Sequence, residues 1–200
     1  HREAPFAPTA LPMSFFTNLR AERLIAEVKA AGSADAPDAR KSIEKLGRLG
    51  PSAIPRIVDA LANADKQETA AFVGVLASLL DNKSLPALVA GLNDGNQRTV
   101  AAITWALSSS RGYSPQLLLG MLDDPAVPKG PIVSALAAHK TRLGAREVLK
   151  HAYSQEPAEK AALFRVVADI ADESLVPELL SRLEGKDPIA RTHIINILAR

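Results

Sequence analysis

"SLVPELLSRLEGKD", from Ser174 to Asp187, is the stretch on which the fold turns. Leu175, Val176, Leu179, Leu180 and Leu183 fall at the spacing of one helical face, yet Pro177 stands inside the pattern. In a helix interior a proline costs about 3 kcal/mol, because it removes an N–H and its ring meets the preceding turn. In the first turn it costs nothing, since the first four N–H groups have no intrahelical acceptor. The stretch therefore reads as a helix that starts two or three residues before its proline.

The same shape returns upstream. "SAIPRIVDALAN" (Ser52–Asn63), "KSLPALVAGLND" (Lys83–Asp94) and "YSPQLLLGMLDD" (Tyr113–Asp124) repeat it, and "LGAREVLKHAYS" (Leu143–Ser154) carries Arg146 in the proline's place. The column Pro55, Pro86, Pro115, Arg146 and Pro177 advances by 31, 29, 31 and 31 residues. A second column lies in the helix before each copy and pairs a large apolar residue with a small one. It runs Leu46-Gly47, Leu76-Ala77, Trp105-Ala106, Leu136-Ala137, Val167-Ala168 and Leu198-Ala199. The small partner reads as a point where two helices cross closely, and Trp105 reads as packed core. A third column, Arg98, Lys129, Lys160 and Arg191, is basic and reads as ties to acids of neighbouring loops, such as Asp94 and Asp187. Three columns in phase define an internal repeat of about 30 residues built from two helices.

The remaining segments arrange themselves around that repeat. Residues 1–13 hold three prolines and no periodicity and read as a flexible tail or linker. Residues 14–32 read as a helix capped by Ser14 or Thr17 and stopped at Gly32, with Leu24, Ile25 and Val28 as its apolar stripe. Lying outside the repeat phase, it is expected to cap the first exposed face of the array. Phe15 and Phe16 are expected to pack within that cap. The repeats follow at 38–64, 66–94, 96–124, 126–154 and 156–185, with a partial sixth from 187 to 200. Pro128, Gly130 and Pro131 crowd the first helix of the fourth repeat and predict an irregularity there. The apolar face of the last half-repeat (Ile194, Ile195, Leu198) has no following helix, and the chain starts without methionine, which reads as a piece of a longer protein.

Composition agrees with closely packed helices. Hydrophobic residues make up 47% of the chain and aromatics only 4%. No period-2 pattern of useful length points to strands. The net charge of +2 is no nucleic-acid signature. The absence of cysteine excludes disulfides and thiolate chemistry. No run approaches the ~18 apolar residues of a membrane span. The sequence leaves the compartment unknown, with the cytoplasm favoured and an upstream signal or anchor compatible with it.

The helix pairs "DPIARTHIINILAR", "KLGRLG" and "SLVPELLSRLEG" resemble bacterial HEAT-like repeats of the short, phycobilin-lyase type over residues 38–200. The resemblance implies an all-α fold, a right-handed α-solenoid of about five and a half helix pairs with an N-terminal cap helix. It also implies that second helices line the concave side, where such arrays bind extended partners. On that side Arg56, Asp59, Gln116, Lys150, His151, Glu178 and Arg182 are the candidate partner-binding residues. Known members of the class include scaffolds, adaptors, lyases, a metal-dependent hydroxylase and DNA glycosylases. The hydroxylase's repeated His-Glu pairs have no counterpart at His1, His139, His151 or His193, so no metal or cofactor is expected. "SSSRG" (Ser108–Gly112) lacks a phosphate-loop pattern and reads as a helix end, and "AHKTR" (Ala138–Arg142) reads as a solvated turn. No catalytic set stands out. The expected role is therefore a non-enzymatic scaffold or adaptor whose partner is a protein or another domain of its own chain. Nucleic-acid binding and a lyase-type activity are the alternatives.

Overall fold

The computed structural model describes residues 13–200, and all secondary structure among them is helical. Helix α1 (Met13–Ala30) is followed by five pairs and a single last helix. The pairs are α2 (Pro37–Gly47) with α3 (Ile54–Leu61), α4 (Lys66–Leu79) with α5 (Leu85–Ala90), and α6 (Gln97–Ser109) with α7 (Pro115–Met121). Then come α8 (Lys129–Ala138) with α9 (Ala145–Ala152), α10 (Pro157–Ile170) with α11 (Val176–Arg182), and α12 (Pro188–Leu198). The first helices pack in sequence order, α2 on α4, α4 on α6, α6 on α8, α8 on α10 and α10 on α12. Helix α1 packs on α2 and α3, burying Ala21, Leu24, Ile25 and Val28. The tail expected over 1–13 lies outside the described residues except for Met13. Since α1 already begins there, Ser14 and Thr17 are inside the helix rather than capping it. Gly32, with φ of +71°, takes the left-handed conformation that turns the chain after α1.

The prolines sit where an N–H is dispensable, but closer to the helix start than expected. Helices α3, α5 and α11 begin one residue before Pro55, Pro86 and Pro177, and α7 begins at Pro115 itself. The residues before α3 and α11 form short 3₁₀ turns, Pro51–Ala53 and Glu173–Leu175, which feed the α-helix directly. Helix α8 is regular despite Pro128, Gly130 and Pro131. Pro128 precedes it and Pro131 is its third residue, so neither ring meets a formed turn.

The irregularity lies one connection earlier, and it moves the core column. The fully buried positions are Leu46, Leu76, Leu107, Leu136 and Val167, not Trp105. Two residues along a helix is about 200° of rotation, so Leu107 and Trp105 cannot both face the core. From Leu76 to Pro86, and from Leu136 to Arg146, the chain takes 10 residues; from Leu107 to Pro115 it takes 8. The two missing residues therefore come out of the α6–α7 turn. Trp105 shares its position with Gly74, Ser134 and Arg165, on the outer face of the first helices, and is 50% exposed. Of the small residues of that column only Ala106 is buried. Ala137 and Ala199 are exposed, and a Cβ added at Gly47 would meet nothing within 4 Å.

The short turn is stitched to its neighbours by buried polar groups. Ser110 Oγ donates to Ala77 O at 2.7 Å. Leu107 O accepts from Tyr113 Oη at 2.6 Å and from the His139 Nε2 at 2.8 Å. The His139 ring lies edge-on to Tyr113, 5.5 Å between centroids, with Arg111 against its Nδ1 at 3.3 Å. Arg142 donates to Tyr113 O at 2.7 Å. The segment 138–142 is thus no solvated turn: His139 is fully buried, and Lys140 reaches Asp169 at 2.8 Å. Ser110, His139 and Arg200 each cap a last-turn carbonyl of the preceding first helix, those of Ala77, Leu107 and Ala168.

Asp187 caps the N-terminal end of a first helix, α12. Its carboxylate accepts from the N–H groups of Ile189 and Ala190, both at 3.0 Å, and from Lys160 Nζ at 2.5 Å. The Lys160 hydrogen bond, then that of Ala190, hold the carboxyl below its ordinary value of 3.8. A lowered folded value means that the stabilisation is present above the ordinary pKa and is lost as pH falls through the folded one. Asp187→Ala is expected to lower stability at neutral pH by about 1–2 kcal/mol through loss of the cap and its ion pair, read by urea unfolding. The deficit should vanish in acid, below both values.

Candidate binding surface

The second helices carry the charged residues singled out in the sequence, and most of them face one another. Arg56 pairs with Glu22 of α1 at 3.2 Å and with Asp59 at 3.3 Å. Gln116 Nε2 donates to Arg142 O at 2.9 Å. His151 Nδ1 lies 3.5 Å from Asp123. Glu178 accepts from Arg146 of α9 and from Arg182, each at 2.9 Å. Those two partners hold its carboxyl below the usual range, the Arg182 hydrogen bond foremost. The Arg182 guanidinium lies over the Tyr153 ring at 4.6 Å. Lys150 is exposed. The fold therefore brings Arg146, Tyr153, Glu178 and Arg182 together. Arg56–Asp59, Gln116 and His151 form separate links between successive elements. Exposed pairs of this kind contribute about 0–1 kcal/mol each, so they fix orientation more than stability.

The basic column divides in two. Lys160 bridges to Asp187 of the next repeat, and Lys129 Nζ donates to the Asp124 carbonyl. Arg98 and Arg191 make no ion pair among the described residues. Arg98 also stands in a shifted register. Asn96 is the N-cap of α6, so Arg98 is the second residue of its helix, whereas Lys160 and Arg191 are the fourth of theirs.

Arg98 instead borders a groove on the opposite, first-helix side. The groove lies between α4 and α6, has a volume of about 550 Å³, and is lined by Ala64, Asp65, Lys66, Thr69, Arg98, Ala101, Ala102 and Trp105. Asp65 is committed to the helix end. Its Oδ1 accepts from Glu68 N at 2.8 Å, while Glu68 Oε2 accepts from Asp65 N at 3.0 Å. Asn96 likewise occupies the first N–H groups of α6, those of Arg98 and Thr99. Among the described residues neither Lys66 nor Arg98 at the rim makes an ion pair, and Trp105 adds an indole to the lining. Periodicity alone hides this place, because it assigns Trp105 to the core. The N-caps carry the missing signal: Asp65, Asn96 and Asp187 each stand 11 residues before the core position, Leu76, Leu107 and Leu198.

Other large apolar side chains are exposed too, among them Leu19 of α1, Leu117 of α7 and Leu180 of α11. Phe15 and Phe16, 47% and 53% exposed, stack edge-on to each other rather than packing into the cap. At α12, Ile194 is buried and His193 stacks on Phe164 at 5.4 Å, while Ile195 is 52% exposed. Among the described residues no group of three His, Asp or Glu side chains is placed to hold a metal ion, and no helix is long and apolar enough to cross a membrane. Comparison with protein-family models, with curated proteins and with solved structures returned no match.

Proposed function

We propose that the chain is a right-handed α-solenoid of HEAT-like helix pairs, capped by α1, that works as a non-enzymatic scaffold or adaptor. Its partner is another protein or another domain of its own chain. The sequential packing of first helices supports the solenoid. The observation that carries the binding role is Trp105, half-exposed beside an open groove at a position where other repeats place Gly74, Ser134 and Arg165. Exposed tryptophans are enriched among the residues that dominate protein interfaces. Because the second-helix charges are mostly paired with one another, the contact is assigned to the first-helix face.

The test is to isolate the partner by affinity capture and titrate it calorimetrically against the wild type, Trp105→Ala and the Lys150→Glu/Arg182→Glu double variant. Trp105→Ala is expected to weaken binding by about 30-fold, the scale of a 2 kcal/mol anchor. The double variant is expected to change it by less than about threefold. Loss confined to the double variant would move the contact to the second-helix face. Retention of nucleic acid alone, lost as salt rises, would overturn the reading.

A further inference from the structure

We infer that the groove beside Trp105 receives an extended peptide segment in which an apolar or prolyl residue lies next to acidic side chains. The inference rests on the protein-binding reading and adds the chemistry of the partner. The floor is made of small residues, Ala64, Ala101 and Ala102, so a peptide backbone can approach closely. Trp105 supplies a flat apolar wall for one side chain. Lys66 and Arg98 supply the charge. Their acidic neighbours Asp65 and Glu68 already serve the capping box of α4, and the N–H groups of the α6 first turn are taken by Asn96. Anion recognition at this rim therefore falls to the Lys66 ammonium and the Arg98 guanidinium, whose planar fork matches a carboxylate.

Trp105 is the chain's single tryptophan, so its emission reports directly on the groove. The probe is a set of dodecapeptides selected from a random displayed library against the intact wild-type chain, then synthesised and titrated while Trp105 fluorescence is followed. The expected peptides combine Asp or Glu with Pro, Leu or Phe and perturb the Trp105 emission. They lose at least tenfold in affinity with Arg98→Glu or Lys66→Glu, and also with Trp105→Ala read by a label on the peptide. All three residues are on the surface, and unchanged circular dichroism confirms the fold of each variant. Peptides that bind without perturbing Trp105, and equally well to Trp105→Ala, would overturn the groove inference and leave the adaptor reading standing on another face. Basic peptides, indifference to Arg98→Glu, or no selected peptide would overturn it too. Quenching of Trp105 by a short oligothymidylate, reversed by salt, would overturn both readings.

Discussion

Gly112→Ala is expected to destabilise the chain by about 3 kcal/mol or more, whereas Gly120→Ala should leave it unchanged or stabilise it by up to about 1 kcal/mol. A Cβ at Gly112 would run into the Leu80 carbonyl oxygen and lie 3.2 Å from its carbon. Both are backbone atoms, so no side-chain rotation relieves the clash. Nor can the turn back away. Ser110 Oγ holds it to Ala77 O at 2.7 Å, and Asn82 Oδ1 accepts from Ser114 N at 2.7 Å. Gly120 is an exposed residue of α7 with no atom within 4 Å of an added Cβ, and its replacement only removes backbone freedom from the unfolded chain. Thermal unfolding followed by circular dichroism checks both. For a chain of this size the Gly112 variant should melt about 6–12 °C lower. Equal melting temperatures would place the two missing residues somewhere other than the α6–α7 turn.

His139→Ala should cost about 2–4 kcal/mol, the sum of a buried cavity and a lost hydrogen bond. The imidazole is fully buried, and its Nε2 and the Tyr113 hydroxyl share the Leu107 carbonyl. Removing it leaves Tyr113 as the sole side-chain donor to that carbonyl and empties the space beside the phenol ring. The same site gives a pH dependence. Burial is the main cause holding the His139 pKa below its ordinary 6.5, assisted by the nearby Arg111 and Arg142 charges, while the hydrogen bond to Leu107 O acts the other way. As pH falls below about 6.5 the unfolded chain binds a proton that the folded chain does not, so stability declines with acidification until the folded value is reached. Urea unfolding between pH 7 and pH 5 should show that decline in the wild type and less of it in His139→Ala. The carboxylates with lowered values, among them Asp169, Glu178 and Asp187, act in a separate and more acidic window.

These two sites also mark where sequence periodicity ran short. The proline column located the second helices because a proline tolerates only the first turn. The apolar stripe of α1 and the order of the pairs were legible for the same reason: spacing on a helix is set by geometry. Trp105 was misplaced because Trp105-Ala106 imitates the large–small pair and Arg98 precedes it by the same seven residues as Lys129 precedes Leu136. Only the N-caps separate the two registers, since a cap fixes helix phase from its first residue. His139 follows the core residue Leu136 by three, an inward position, yet a histidine among Lys140, Thr141 and Arg142 carries the composition of a surface turn. Pairing between second helices, such as Arg146 with Glu178, depends on the stagger of neighbouring repeats, which no local pattern encodes.

The most direct measurement is acrylamide quenching of Trp105 fluorescence in the folded chain, set against the urea-unfolded chain. An indole half-exposed on the outer face of α6 predicts water-like emission and quenching close to that of the unfolded chain. Blue-shifted emission with strong protection from acrylamide would put Trp105 back among the core residues, and the register, the groove and the binding role assigned to it would all be contradicted.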